Sequence, residues 1–573
     1  MITQRTLGIL VAAASLLAAN NDALAKKKKP PVDDSAAWGE SSPAKPEKKS
    51  AEKPWDEPAE KPAEKPAEKQ AEKPVEAEPA KPVEEAKPVK AADVEASKPV
   101  AEPAPEPKLA ATAPAEDKEV AAPADKAPKA GEKSAAQAGN ADSSAGITWN
   151  ASGWGLTMYG YAALNVIQDS TQSFGLSTGN TLIQRRGTIR GNRLQAQASS
   201  RDSRLGFRLA APMIGSVKSS VNLETDFNNT PPIEYTEANT VTNAGFRMRQ
   251  YYFKVETPVV DIIAGQYHDL FGWGGKGFYP ATLNGIGVTG EVYHRQPQIR
   301  LSKIFNQGGG VELEFAGAVL RPVQKAGGYP DIEAGVRLAF NGWTGARQQA
   351  YGQPSIGSAG IGVSGIYRHF EVAQFLEAPG DTVPGDGYGV VGNIFLPIIP
   401  ASSNKDRGNA LSVTGEYSRG TGIGDMYSGD LTGGLLFPAL PNPTGRDSAS
   451  NAPPVYTPNI DSGIVTFDGD NRLRTCNWEG LVLGGQYYLP IAHGRVWIAG
   501  IYAQAKSSNI VEITPFAGRG GIYNKSVYMD GSLFVAITDQ IQMGVNFNRI
   551  RQTLGDGIKV ENYRTAFAAN MFF

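Results

Sequence analysis

Leu156-Thr157-Met158-Tyr159-Gly160-Tyr161-Ala162-Ala163-Leu164-Asn165-Val166 changes character at every second residue. Leu156, Met158, Gly160, Ala162, Leu164 and Val166 are apolar or small, and Thr157, Tyr159, Tyr161 and Asn165 alternate with them. Successive side chains of an extended chain point to opposite faces, so the stretch spells a strand with one face for an oily medium and one for water. The pattern returns in Leu205, Phe207 and Leu209 against Arg204, Gly206 and Arg208, and in Val311, Leu313, Phe315 and Val319 against Glu312 and Glu314. It continues in Leu411, Val413 and Tyr417 against Ser412, Thr414 and Glu416, and in Ile541, Met543, Val545 and Phe547 against Gln542, Asn546 and Asn548. A soluble β-sandwich alternates in the same way, so the period establishes strands before it establishes their surroundings.

The two ends of the chain supply the surroundings. Residues 1–25 read as a removable signal peptide: Arg5 gives the positive end, Leu7 to Ala19 a short apolar run, and Ala23-Leu24-Ala25 a small-x-small cleavage site. The apolar run is shorter than the roughly 20 residues a membrane helix needs. At the other end Tyr563, Thr565, Phe567, Ala569, Met571 and Phe573 share one face. That ending resembles the closing strand of bacterial outer-membrane barrels, and the resemblance gives Phe573 the role of an assembly signal read by the barrel-assembly machinery. The expected fold is therefore all-β, an antiparallel transmembrane barrel of 16–18 strands over residues 147–573, located in the outer membrane. Short turns are expected at Ala211 to Ser216, Glu256 to Asp261, Ala492 to Arg495 and Thr538 to Gln540. Long excursions are expected at Asn228 to Ala244, Tyr267 to Gly290 and Arg419 to Arg474.

Ahead of the barrel, residues 26–146 repeat Ala-Glu-Lys-Pro at Ala51 to Pro54, Ala59 to Pro62, Ala63 to Pro66 and Ala71 to Pro74. Proline at that density forbids long helices, and the scarcity of bulky apolar residues leaves no core to offset chain entropy. The segment is expected to be a disordered periplasmic linker. Residues 1–146 carry 22 basic against 26 acidic side chains, so no nucleic-acid partner is expected. The linker, with its Lys26 to Lys29 cluster, offers a contact for cell wall or a periplasmic protein; in composition alone it resembles the spacer of the TonB protein. Cys476 stands alone in the 573 residues, which excludes an internal disulfide and a multi-cysteine metal site.

Between Ile147 and Phe573 there are 25 arginines and 9 lysines. Arg185, Arg186, Arg190, Arg193, Arg201, Arg204 and Arg208 cluster early and are expected on two or three strands, with Arg247 and Arg249 following. A lipid-facing Arg costs on the order of 2 to 4 kcal/mol at mid-membrane. By that logic Arg190, Arg193, Arg204, Arg208, Arg247, Arg249, Arg300 and Arg337 are expected to line a water-filled lumen. Two readings stay open. The guanidinium groups form a ladder for small anionic solutes such as carboxylates or phosphate, or they pair with Glu224, Asp226, Glu312 or Glu314 and set a transverse field. Glu312 and Glu314 are expected to form an opposing acidic wall. The loop Tyr267 to Pro280, rich in Gly and aromatic residues, is expected to fold inward and present Lys276 at a constriction, or to remain a surface loop.

Leu156 to Ala162 resembles the opening strand of trimeric porins, and Phe246-Arg247-Met248-Arg249-Gln250-Tyr251-Tyr252, followed by Ala264-Gly265-Gln266, resembles their arginine-bearing strand and loop onset. Arg295-Gln296-Pro297-Gln298-Ile299-Arg300 is similar to the DcaP-like porins. The resemblance covers 156–573, with its strong matches in the first third and at the terminus. It implies a homotrimer in outer-membrane lipid that passes small organic anions, without a cofactor. It also implies an N-terminal coiled coil, which the prolines between Lys26 and Lys133 exclude, so trimerisation is expected to rest on the barrel.

Two other classes compete. One is a structural protein tethering the membrane to the cell wall through the linker. The other is a barrel hydrolase, which needs a nucleophile with a positioned base; only His268, His294, His369 and His493 are present, and Gly362-Val363-Ser364-Gly365 lacks the Gly-x-Ser-x-Gly spacing. The expectation is a non-enzyme without a metal, a calcium role for Asp468-Gly469-Asp470-Asn471 being disfavoured by the missing bidentate Glu.

Overall fold

The structure is a computed structural model that describes residues 146–573 apart from 230–244, 284–286, 325–326, 349–351, 377–378, 402, 436–437 and 442–458. The expected signal peptide, nearly all of the expected linker and most of the excursion at Asn228 to Ala244 lie outside the described residues. The alternating segments form strands β1 (Ile147–Ala151), β2 (Trp154–Asp169), β3 (Gln195–Ser199), β4 (Arg204–Ala210), β5 (Lys218–Asn229), β6 (Gly245–Glu256) and β7 (Asp261–His268). They continue as β8 (Arg295–Phe305), β9 (Val311–Leu320), β10 (Asp331–Arg347), β11 (Ser355–Ala373), β12 (Thr382–Ile399) and β13 (Leu411–Thr421). After β14 (Val465–Phe467) and β15 (Leu473–Thr475) come β16 (Asn477–Tyr488), β17 (Val496–Ser507), β18 (Tyr523–Ala536), β19 (Ile541–Leu554) and β20 (Lys559–Phe572).

Antiparallel pairing runs in a ring. β2 pairs with β4, each strand from β4 to β13 pairs with the next, β13 pairs with β16, and β16 to β20 follow in order. β20 then returns to β2, with Phe572 opposite Tyr161. Among the described residues this closed wall has 16 strands. β3 pairs with the far end of β2 and β4 with its near end, so the two are pieces of one wall strand interrupted at 200–203. β1 folds back on the start of β2 beyond the end of β20. Its turn places Ser152 and Gly153 at φ 50° and 82°, a left-handed pair that glycine makes affordable.

Exposure is inverted relative to a water-soluble protein. Phe207, Leu223, Met248, Ile299, Phe315, Val336, Val363, Ile498, Met529 and Phe547 are exposed, whereas Glu224, Arg249, Glu314, Arg368, Asn548 and Arg564 are buried. An oily skin around a polar interior is what a closed sheet in lipid requires. The wall's closure and skin place it in the outer membrane. One end carries the short turns 211–217, 257–260, 489–495 and 537–540 together with the start of β2 and the end of β20; the long loops lie at the other.

The loop 269–294 folds into the barrel. The Leu270 and Phe271 N–H groups donate to Glu333 Oε2 at 2.7 and 3.0 Å, and Gly272 N–H donates to Ser364 Oγ at 3.0 Å. Trp273 donates Nε1–H to the Val363 carbonyl at 3.1 Å, lying so close to β11 that a Cβ on Gly362 would stand 2.6 Å from its ring. Farther on, Thr282 bonds Asp530 of β18 at 2.8 Å, and Leu283 packs over Gly544 of β19. His294 closes the loop by an ion pair with Asp269 at 2.7 Å. Burial opposes charge on this imidazole, but the Asp269 carboxylate outweighs it and raises the pKa to about 9.

Gly362→Val is expected to expel Trp273 and loosen the loop while the wall still forms. Limited proteolysis should cut within 269–294 faster than in the unaltered protein, and heat-modifiable migration on gels should stay unchanged. The His294–Asp269 pair is present below the ordinary imidazole value and is lost as pH rises through about 9. Tryptophan fluorescence is accordingly expected to be flat from pH 6 to 8 and to step above pH 9, with the step absent in His294→Gln.

Candidate functional site

Strands β4, β5 and β6 turn a connected set of charges inward. Arg204 and Arg208 of β4 stand over the rings of Tyr161 and Tyr159, at 5.3 and 5.6 Å from their centroids. Glu224 and Asp226 of β5 face Arg247 and Arg249 of β6. Arg247 grips Asp226 with two bonds, Nε to Oδ1 at 2.9 Å and Nη2 to Oδ2 at 2.6 Å. Arg249 bridges Glu224 at 2.6 Å and Asp226 at 2.9 Å, and its Nη2 donates to the Tyr293 hydroxyl at 3.1 Å. Arg204 Nε lies 3.5 Å from Glu224. The Arg247 side chain keeps 33% of its surface exposed against 3% for Arg249, so the first meets the lumen water and the second is sealed in.

Arg249 owes its place to a bulge. The register steps from Glu224 opposite Gln250 to Thr225 opposite Met248, which leaves Arg249 as the extra residue. Arg249 and Gln250 are consequently both buried inward, and the outward series resumes at Tyr251 and Phe253.

A second charged group lies on β8 to β10. Arg300 is buried, bonded to Gln298 Oε1 at 3.0 Å and standing 5.3 Å from the Tyr267 ring centroid. Arg337 sits directly opposite Glu314 in the β9–β10 register and donates Nε–H to Oε2 at 2.8 Å. Lys276, from the inward loop, takes the other oxygen of Glu314 at 2.9 Å. Glu312 accepts the N–H of Gly308 at 2.7 Å. Glu312 and Glu314, expected from the sequence as an opposing acidic wall, lie on β9 and point inward. They neighbour the strand that carries Arg337, because the register of adjacent antiparallel strands sets acid beside base.

The early arginines divide differently from the sequence expectation. Arg185, Arg186, Arg190 and Arg193 belong to the loop between β2 and β3, Arg190 inside the one-turn helix Ile189–Asn192, and Arg201 lies in the break between β3 and β4. Arg185 pairs with Asp556 at 2.7 Å, and Arg190 donates Nε–H to the Gln172 carbonyl. The charge cluster suggests strands, but the stretch lacks a clean period of two and forms a loop. Arg204 and Arg208 alone of that cluster are on the wall.

Of the buried or half-buried arginines that the sequence did not single out, three make contacts that bear on the loops and the charged wall. Arg564 of β20 forms a two-bond pair with Asp169 of β2 at 2.9 and 2.8 Å and donates to the Gly175 and Leu176 carbonyls, which ties down the first long loop. Arg368 of β11 joins Asp331 of β10 to Asp425 of the loop after β13. Arg295 begins β8, stands 5.4 Å from the Tyr293 ring centroid and feels the charges of Arg249 and Glu224. Inward parity in the terminal strand marked Arg564, while nothing local to the sequence pointed to Asp425.

The remaining candidates have structural surroundings. His268 packs among Tyr267, Tyr279 and Tyr293, His369 pairs with Asp386 at 2.7 Å, and His493 occupies a tight turn. Ser364 receives the loop's Gly272 N–H, and Cys476 is buried. Asp468 caps its own turn by accepting from the Asp470 and Arg472 N–H groups. Among the described residues no three His, Cys, Asp or Glu side chains gather to hold a metal. Phe573 exchanges backbone bonds with Gly160 at 2.9 and 3.0 Å, at the seam where the wall closes.

No protein-family model and no curated protein matches the chain. Solved structures do. The outer membrane channel DcaP of Acinetobacter baumannii aligns at 14% identity and TM-score 0.50, over 75% of this chain and 99% of that one. The anion-selective porin of Comamonas acidovorans aligns at 11% identity and TM-score 0.39, over 73% and 100%. The closed β-barrel wall thus aligns with the first of these along nearly its whole length, and the chain has the fold of that outer membrane channel.

Proposed function

We propose that this protein is a channel for small hydrophilic solutes and favours anionic ones, carboxylates or phosphate. The observation that carries the reading is the charge balance of one stretch of wall. Arg204, Arg208, Arg247, Arg249 and Arg295 set five guanidinium groups against the three carboxylates Asp202, Glu224 and Asp226. Rows of arginine along a pore are a known route to anion preference, and the forked guanidinium passes an oxyanion between donors without binding it as tightly as a closed cage.

Within that set the roles differ. Arg249 is committed to Glu224 and Asp226 and holds the bulge, whereas Arg208 and the half-exposed face of Arg247 remain open to a solute. Lys276 and Arg337 share Glu314 and pin the inward loop, which narrows the path. The protein works as a homotrimer in this proposal, with barrel surfaces making the subunit contacts.

Replacing Arg208 and Arg247 together by Gln is expected to move the reversal potential in a potassium chloride gradient toward that of cations in planar bilayers. An unchanged potential would remove this wall from the selectivity filter. Arg249→Gln should behave differently, since it takes from buried Glu224 its closest guanidinium and from Asp226 one of two, at a cost of about 3–5 kcal/mol. Loss of the folded, heat-modifiable form is expected before any change in selectivity can be read.

A further inference from the structure

The outer face of the wall changes from apolar to basic along one row. Lys506 of β17 lies directly opposite Lys525 of β18, Lys525 opposite Thr553 of β19, and Thr553 opposite Lys559 of β20. All four face outward, on the same parity as the exposed Ile498, Tyr502, Met529, Phe547 and Met571. Arg551 and Arg549 follow two and four residues down β19 on the same face. On the outward faces of these strands the carboxylates are Glu479, opposite Lys506 and 3.5 Å from Arg419, and Glu561, opposite Arg551 and paired with Arg549 at 2.8 Å, while Asp556 in the turn after β19 pairs with Arg185. Lys506, Lys525, Lys559, Arg549, Arg551 and Arg419 thus meet two acids. Like charges placed directly opposite each other destabilise a strand pair, so the Lys506–Lys525 step calls for an anion between them.

The row stands at the loop end of the wall, where the apolar skin stops, which is the level of the lipid headgroups in the outward leaflet. Below it the skin opens into a trough. Gly485, Gly500 and Gly531 lie opposite one another across β16, β17 and β18, and a Cβ at Gly485 or Gly531 would meet nothing within 4 Å. Leu483, Ile498, Tyr502, Met529 and Phe547 border that strip. Gly500 is six residues below Lys506, about 20 Å along the strand at ~3.3 Å per residue and about 15 Å in depth at the ~40° tilt of a membrane barrel strand, within the reach of an acyl chain whose headgroup sits on the basic row.

We propose that this face binds a phosphate-bearing, multiply acylated lipid of the outward leaflet. The phosphate groups rest on Lys506, Lys525 and Arg551, whose stems reach up from the edge of the skin, and an acyl chain fills the glycine trough. The site needs the membrane placement of the barrel, not its anion selectivity, because every residue named points away from the lumen.

The test uses detergent-purified full-length protein and native mass spectrometry with bisphosphorylated lipid A as the probe. Wild type is expected to retain it, and Lys506→Gln/Lys525→Gln/Arg551→Gln to bind at least tenfold more weakly while keeping heat-modifiable migration. Gly531→Leu, which fills the trough and leaves the charges, should also weaken binding. Equal binding by the triple variant and wild type would overturn the proposal. So would displacement of the lipid by millimolar inorganic phosphate, which would make the row a site for free phosphate, or loss of oligomer with lipid retention intact, which would make it a contact between copies.

Discussion

Hydrocarbon offers a peptide group no hydrogen-bond partner, so every N–H and C=O that crosses the membrane must find one inside the protein. A sheet meets that demand only when its first and last strands pair, and the β2–β20 seam, finished by the exchange between Gly160 and Phe573, is where it is met here. The side-chain pattern follows from closure. With one face committed to lipid, every second residue is committed to the interior, and the interior has to be wet or internally paired.

This interior is held by buried ion pairs. Arg368 with Asp331 and Asp425, Arg564 with Asp169, and Arg249 with Glu224 and Asp226 are ion pairs in which both partners have lost nearly all contact with water. Desolvation makes such pairs weak sources of net stability, but removing one partner is expensive, so they act as fixed points. Two of them hold loops against the wall: Arg564 holds the first, and Arg368 the one after β13. In the proposed channel the charges left over after pairing would be those available to a solute, which is why the balance among β4, β5, β6 and β8 would matter more than the number of arginines.

The loop 269–294 shows how packing and charge cooperate. Its glycines and aromatic side chains suggested either an inward or a surface position. Inside the barrel, Glu333 caps its first amides, Trp273 lies flat against Gly362, and Lys276 shares Glu314 with Arg337. The choice was made by partners on β9, β10 and β11, all distant in sequence.

Legibility followed the range of the interaction. Strands, their two faces and the inward direction of Arg204, Arg208, Arg247, Arg300 and Arg337 could be read because a period of two is a local property and lipid penalises a misplaced charge. The early loop arginines were misread, since a charge cluster carries no period of its own. The bulge at Arg249 was also invisible, because it is a property of the register between β5 and β6 and not of either strand.

The sequence by itself therefore determined an all-β wall with an oily skin and a polar bore, since those rest on alternation. Only the tertiary structure decided which acid neutralises which base, where the inward loop lies and which cations remain unmatched. Those depend on strand register and ring closure, which bring together residues as far apart as Asp169 and Arg564, and no local pattern encodes that distance.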